Sequence, residues 1–165
     1  MTELQDFRVL VTGASRGIGL AIARELAACG CKVAGLATAK ENLDAAEEAV
    51  QDAGGEFLRL EGDIGNPETA VQASGAIVEV WGGIDGLVAN AGITRDNLIL
   101  RMKPEDFEDV LRVNLGGAFH LAKACIRPMM KQRSGRIVFM GSVVAQIGNP
   151  GQANQSQRQG RGLGA

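Results

Sequence analysis

A glycine-rich turn stands near the amino terminus, in the stretch TGASRGIG from Thr12 to Gly19. It follows the apolar run FRVLV and opens a segment with helical periodicity, so it is predicted to join a buried strand to a helix. There, Gly13 permits the tight turn, Gly17 lets backbone approach a pyrophosphate, and Gly19 lets helix and strand pack closely. The turn therefore predicts a dinucleotide site; a glycine-rich turn without a ligand is the alternative.

The residues that follow the second predicted strand indicate which dinucleotide is bound. An acidic side chain there usually binds the free 2′-hydroxyl of NAD, but the sequence Leu36-Ala37-Thr38-Ala39-Lys40 holds no carboxylate. Arg16 in the turn could bind a 2′-phosphate together with Thr38 and Lys40, since an arginine fork suits phosphate geometry. NADP is therefore predicted in preference to NAD. The alternative is that Arg16 and Lys40 are ordinary solvated charges.

Short β-branched runs alternate with longer helical segments along the chain. Strands are predicted in FRVLVTG, CKVAGLA, EFLRLEGDI, IDGLVANAG and GRIVFMGS. Four helices are predicted: residues 17–29, residues 40–55, Pro67 to about Trp81, and residues 105–131. In the first, Ile18, Ile22 and Leu26 lie on one face. The alternation predicts an α/β fold: a Rossmann-like, doubly wound parallel sheet of about five strands in the order 3-2-1-4-5, incomplete on its carboxyl-terminal side.

Composition excludes several classes of protein. The 165 residues carry a net charge of −2 with acids and bases interspersed, which gives no electrostatic footprint for nucleic acid. No apolar run approaches the ~20 residues that span a bilayer, and MTELQDF is not a secretory signal, so a cytoplasmic protein is predicted. Cys29, Cys31 and Cys125 are predicted to be buried reduced thiols, and His120 has no companion ligand, so no metal site is expected.

Five motifs occur in order at the ends of predicted strands or in predicted helices: TGASRGIG, GDI, ANAGITRDNLILRM, VNLGGAF and GRIVFMGSVVAQIGNPGQAN. Together they resemble the short-chain dehydrogenase/reductase family, over residues 7–154. Two segments, GITRDNLILRM and GSVVAQIGNPGQAN, are similar to those of bacterial-type β-ketoacyl-acyl carrier protein reductases of fatty acid synthesis. The resemblance implies NADPH-dependent reduction of a 3-oxoacyl-acyl carrier protein to the 3-hydroxyacyl form, by a homo-oligomer.

The resemblance also implies which residues hold the cofactor. The phosphate side would be formed by residues of the turn: Gly13, Ala14, Ser15, Arg16, Gly17, Ile18 and Gly19. Thr38 would lie near the 2′-phosphate, and Asp63 and Ile64 would flank the adenine. The ribose side would be lined by Asn90, Ala91 and Gly92. The family usually has Asn-Asn-Ala-Gly where this chain has Ala89-Asn90-Ala91-Gly92.

The family's catalytic residues are matched only in part. Asn114 matches an active-site asparagine that supports a bound water, and Ser142 matches the serine that hydrogen-bonds the substrate carbonyl. Without the resemblance, both would be interpreted as residues that bond local backbone. The family's proton donor is the tyrosine of Tyr-x-x-x-Lys, but Gln155 and Gln159 stand at those places and the chain has no tyrosine. Because an amide does not ionise at useful pH, reduction is predicted to be severely impaired.

The last residues differ in composition from the rest. Four of the nine glutamines lie in 151–165, so residues 1–150 are predicted to form the dinucleotide-binding domain and 151–165 a polar, disordered tail. A reading-frame slip near Gln155 is one hypothesis for this change, and an authentic polar tail is the other. Two non-enzymatic alternatives remain open: an NADP-binding fragment, or an inactive partner subunit of a complete reductase. A third is a remnant that neither binds nor folds stably.

Overall fold

The computed structural model describes residues 4–141 and shows one parallel sheet. The strands are β1 (Arg8–Thr12), β2 (Lys32–Ala37), β3 (Phe57–Glu61), β4 (Gly86–Ala89) and β5 (Arg136–Phe139). Their order is β3-β2-β1-β4-β5, which confirms the predicted order. The helices are α1 (Gly17–Ala28), α2 (Asp44–Asp52), α3 (Pro67–Trp81), α4 (Pro104–Leu111) and α5 (Ala118–Gln132).

Helices cover both faces of the sheet, which confirms the doubly wound α/β fold. Side chains alternate along each strand, so β1 sends Val9 and Val11 into one core cluster and Leu10 into the other. The first cluster lies with α1 and α2, the second with α3 and α5. The central strands β1, β2 and β4 are buried on both faces and read as nearly continuous apolar runs, the signal from which the parallel sheet was predicted, whereas β5 at the edge is largely exposed.

Helix α1 forms where it was predicted, and its fully buried residues are small. Gly19, Ala23 and Ala27 are the buried residues, whereas Ile18 is 63% exposed and Ile22 and Leu26 are half-buried. Ile22 and Leu26 pack against the same core cluster from its edge, and only small side chains of the helix lie within it. The spacing of the large apolar residues therefore predicted the helix correctly but did not indicate that its most buried residues are small.

The predicted helix over 105–131 is interrupted. Residues 112–117 form a π-helical segment between α4 and α5, and this segment buries Val113, Asn114 and Gly117. Such segments are rare and occur mostly as single-turn bulges at functional sites. The segment between β2 and β3 is also divided, into a 3-10 turn over Lys40–Leu43 and α2.

Two of the three cysteines are buried as predicted. Burial of Cys125 raises the pKa of its thiol to about 12, which keeps it protonated and unreactive. The prediction was wrong for Cys29, which is exposed because it lies just beyond the last turn of α1. Within residues 4–141, no helix is long and apolar enough to cross a membrane, and no three potential metal-binding side chains (His, Cys, Asp or Glu) lie together.

An ion pair joins the amino ends of β1 and β4, away from the glycine-rich turn. Arg8 donates to both carboxylate oxygens of Asp85, with Nε to Oδ2 at 2.6 Å and an N–H of Nη2 to Oδ1 at 2.8 Å. Gln132 at the end of α5 donates to the same carboxylate at 3.1 Å and bonds both backbone groups of Ile84. The hydrogen bonds from Arg8 hold the pKa of Asp85 below its ordinary value, although burial opposes this.

Replacing Asp85 by Asn is expected to lower the free energy of unfolding by about 2 kcal/mol near neutral pH, less than for a fully buried pair because Arg8 keeps some contact with water. The pKa of Asp85 is lower in the folded protein than in the unfolded chain. Its contribution to the free energy of unfolding is therefore complete above the unfolded pKa of about 4 and is lost as pH falls through the folded pKa. Urea unfolding of both proteins over a pH series measures this. Glu25→Gln, in the exposed Arg24–Glu25 pair, should cost under about 0.5 kcal/mol. Equal losses for the two variants would contradict the assignment.

Candidate functional site

A cleft of about 670 Å³ opens beyond the carboxyl ends of β1, β2 and β4. Strand β1 pairs with β2 on one side and β4 on the other. Successive strands are therefore added in one direction from β1 to β3 and in the other direction from β4 onward. Doubly wound sheets bind ligands at this switch point, between β1 and β4. All but two of the predicted cofactor residues line this cleft: Gly13, Ser15, Arg16, Gly17, Ile18, Thr38, Asp63, Ile64, Asn90, Ala91 and Gly92. Of the other two, Ala14 is fully buried and Gly19 packs behind the turn.

The glycine-rich turn has the geometry that its spacing predicts. Gly13 has φ +65° and Gly17 has φ +57°, which glycine adopts most readily. Apart from its chain neighbours and the backbone of its own helix, no atom of residues 4–141 would lie within 4 Å of a Cβ at Gly17, so its backbone faces open space at the cleft. At Gly19 a Cβ would lie 2.7 Å from Asn90 Nδ2 and would also overlap the Gly13 carbonyl oxygen. The absence of a side chain there lets α1 begin directly against the end of β1.

Thr12 joins the ends of the two central strands, a role that the sequence did not reveal. It is fully buried, and its Oγ1 accepts hydrogen bonds from the backbone N–H groups of Asn90 at 3.1 Å and Ala91 at 3.0 Å. The hydroxyl donates to the Val88 carbonyl at 3.4 Å, while Asn90 Nδ2 donates to the Thr12 carbonyl at 3.0 Å. Thr12 and Asn90 therefore fix the floor of the cleft. Threonine after a buried strand was the available signal, but its partners lie far away in sequence.

One wall of the cleft carries a chain of ion pairs. Arg112, the first residue of the π-helical segment, donates to Asp63 Oδ2 at 2.7 Å and to Asp109 Oδ1 at 2.6 Å. Burial acts to raise the pKa of Asp63, but the Gly65 N–H and Arg112 outweigh it and hold that pKa below its ordinary value. Asp63 is therefore an anionic hydrogen-bond acceptor at the cleft. Sequence reasoning identified Asp63 and missed Arg112.

The three residues predicted around a 2′-phosphate are not equally placed. Arg16 and Thr38 line the cleft and are exposed, whereas Lys40 begins the following 3-10 turn outside the lining. No carboxylate among residues 4–141 lies within ion-pair distance of Arg16, so its charge is uncompensated by the described part of the chain. Arg16 and Thr38 are thus placed to meet an anionic group.

Asn114 lies in the π-helical segment and is 4% exposed. Its Oδ1 accepts from the Ile93 N–H at 2.8 Å and its Nδ2 donates to the Ile93 carbonyl at 2.9 Å. Asn114 therefore does bridge backbone, but that of the loop after β4 rather than its own helix. The pair of bonds holds Ile93, which lines the cleft, against the segment that begins with Arg112. The other predicted catalytic positions, Ser142, Gln155 and Gln159, lie outside the described residues.

Replacing Thr12 by Val is expected to lower the free energy of unfolding by about 1–2 kcal/mol, because the partly buried Ala91 N–H loses its acceptor and the Asn90 N–H keeps only the Val88 carbonyl. Thr12→Ser is the matched control, since it keeps the hydroxyl and removes only a methyl group. Thermal or urea unfolding of the three proteins measures the difference. A serine variant as destabilised as the valine variant would show that packing, rather than the hydroxyl, holds the two strands together.

The part of the chain that forms the cleft is also the part that is similar to known proteins. The family profile described as short chain dehydrogenase matches residues 8–156. The chain is 48% identical to the 3-oxoacyl-[acyl-carrier-protein] reductase FabG of Vibrio cholerae over 152 residues, 92% of this chain and 61% of that protein. It is 49% identical to the reductase of the same name from Escherichia coli over 145 residues, 88% of this chain and 58% of that one.

A solved structure has the same fold. NAD⁺-bound xylitol dehydrogenase matches with a TM-score of 0.91 and 34% identity, over 96% of this chain and 61% of that chain. The chain thus spans about three fifths of the length of the relatives that it matches. Since the family profile extends over most of the sequence, from β1 to beyond β5, the chain belongs to the short chain dehydrogenase family.

Proposed function

We propose that the chain binds NADP(H) in the cleft beyond β1 and β4, as the cofactor-binding part of a 3-oxoacyl-acyl carrier protein reductase. The observation that carries this proposal is the convergence of the glycine-rich turn, Thr38, Asp63 and the Asn90 loop on one cleft at the reversal point of the sheet. The names of the relatives from Vibrio cholerae and Escherichia coli support the substrate class. A cytoplasmic location and homo-oligomers remain predictions.

The residues of the cleft divide among the parts of a dinucleotide. The open backbone at Gly17 and the amino terminus of α1 would hold the pyrophosphate. Arg16 and Thr38 would bind the 2′-phosphate, Asp63 and Ile64 would flank the adenine, and Asn90 with its two neighbours would line the ribose. When bound, the nicotinamide supplies a hydride for carbonyl reduction. Asn114 would act by holding the Ile93 loop in place.

Proton supply is the step for which the chain lacks the family's groups. A carbonyl oxygen that receives a hydride at carbon needs a proton, which a tyrosine with a lowered pKa supplies in the family. No tyrosine occurs in this sequence, and Gln155 and Gln159 occupy the places of Tyr and Lys. A positioned acid contributes roughly 10²–10⁴-fold to rate. We therefore propose a protein that holds its cofactor and reduces its substrate poorly, if at all.

A second candidate function is that of a non-catalytic partner of a complete reductase. Two observations favour it: a cleft lined by the proposed cofactor-binding residues and the absence of the acid from the sequence. Mixing the chain with a complete reductase of the family and measuring mass and turnover tests this. A stable mixed assembly with changed turnover supports a partner role, whereas two unmixed species exclude it for that reductase.

Arg16→Ala is expected to raise the Kd for NADPH at least about tenfold and to leave the Kd for NADH within about twofold, because only NADPH carries the phosphate that a charged donor would bind. Titration of the nicotinamide fluorescence of each reduced cofactor measures both constants. Arg24→Ala is the matched control, since Arg24 is an exposed arginine of α1 outside the cleft. Equal losses for NADPH and NADH would contradict the assignment of a 2′-phosphate to Arg16.

NADPH oxidation in the presence of an acetoacetyl thioester is expected to run at least about 10²-fold slower than for the Escherichia coli reductase assayed in parallel, because no ionisable donor replaces the tyrosine. The assay follows nicotinamide absorbance, with the chain purified from a host that lacks a reductase of its own. Turnover close to that of the complete enzyme would show that another group supplies the proton. Slow turnover without NADPH binding would instead indicate a remnant that does not bind.

A further inference from the structure

We propose that Arg112 is a positioning residue for the adenine end of the cleft: it fixes the Asp63 carboxylate as the acceptor for a purine 6-amino group and so disfavours a 6-oxo purine. This inference rests on the proposed cofactor binding and deepens it. Asp63 would contact the base, and Arg112 would act through Asp63. The observations that carry it are the contacts of the two side chains and the packing of the segments that bear them.

Both oxygens of Asp63 are held by fixed donors. Its Oδ1 accepts from the Gly65 N–H at 2.8 Å, and its Oδ2 accepts from Arg112 at 2.7 Å. A carboxylate has about four acceptor sites, so two donors orient it and leave acceptor capacity for a ligand. The Asp63 side chain is 49% exposed and lines the cleft, which makes the remaining sites reachable. Without Arg112, only the backbone N–H would restrain the carboxylate.

The charge of Arg112 is already shared by two carboxylates. Besides Asp63, it donates through Nε and Nη2 to Asp109 Oδ1 at 3.2 Å and 2.6 Å. Arg95 lies 3.6 Å from the other oxygen of Asp109, which holds that carboxylate in turn. Arg112 is therefore not placed like Arg16, whose charge has no carboxylate partner among residues 4–141. Its cleft-side function is to hold Asp63 rather than to bind an anion itself.

The backbone around this pair is shaped to the guanidinium. A Cβ at Gly65 would lie 2.7 Å from Arg112 Cζ, so the turn after Asp63 can approach only because it carries glycine there. Further along the π-helical segment, a Cβ at Gly117 would lie 2.8 Å from Ile64 Cδ1. These close approaches press the π-helical segment against the loop that carries Asp63. Arg112 is thus held at its backbone as well as at its side chain.

An ionised carboxylate accepts hydrogen bonds and donates none. The pKa of Asp63 is held below its ordinary value by Gly65 and Arg112, against burial, so the anion persists at neutral pH. An adenine offers it an N–H at position 6, whereas a hypoxanthine has an acceptor oxygen there and carries its N–H at the neighbouring N1, so a carboxylate fixed opposite position 6 loses its donor. Hydrogen-bonding sites discriminate strongly against analogues that leave their polar groups unpaired. Loose tethering of Asp63 weakens that discrimination.

The test compares two dinucleotides in calorimetric titrations near neutral pH: NADP⁺ and nicotinamide hypoxanthine dinucleotide phosphate. The unaltered chain is expected to prefer NADP⁺ by about tenfold. Arg112→Gln should raise the Kd for NADP⁺ about fivefold and leave that for the hypoxanthine analogue within about twofold. A double-mutant cycle with Asp63→Asn should show that Arg112→Gln has no further effect once the carboxylate is absent. Arg24→Gln is the matched surface control.

The outcomes separate the inference from the proposed function. Equal weakening of both dinucleotides by Arg112→Gln, or no change in either, overturns the positioning role while cofactor binding stands. An unaltered chain that binds neither dinucleotide overturns the proposed function and this inference together. If Arg112→Gln fails to fold, Arg112→Lys keeps the charge near Asp63 without the two-sided fork and should lose part of the preference; an undiminished preference overturns the inference.

Discussion

The site depends on the junction between the ends of β1 and β4. Thr12 and Asn90 tie these ends together through partly buried hydrogen bonds, and Gly19 lets α1 begin against the same point. Each feature requires the others, because a side chain at residue 19 would displace Asn90 and leave the Thr12 carbonyl without its donor. The cleft is thus a consequence of close backbone approach, with binding side chains added around it.

A second set of contacts, on the far side of the cleft, joins segments that are distant in sequence. The π-helical segment carries Arg112 toward Asp63 and Asn114 toward Ile93, so one irregular turn holds both the loop after β3 and the loop after β4. The irregular turn therefore serves the site through Arg112 and Asn114, and it also contributes Val113 to the core.

The sequence predicted the sheet order, the turn and most of the cleft lining because each has a local signal: apolar runs, glycine spacing and residues that end strands. It did not predict the hydroxyl of Thr12, whose partners lie 78 and 79 residues away, or Arg112, which lies 49 residues from Asp63. It did not show that the most buried residues of α1 are the small ones, Gly19, Ala23 and Ala27. Contacts set by close approach leave no periodic pattern.

We expect a protein in which cofactor binding and catalysis are separated: the described residues line the proposed dinucleotide cleft, and the family's proton donor is missing from the sequence. Amide hydrogen exchange with and without NADPH tests the binding half of this claim directly. Slowed exchange should be confined to the glycine-rich turn, the ends of β2 and β3, and the loop after β4. Unchanged exchange in these segments, or protection found only in α3 and α5, would contradict it.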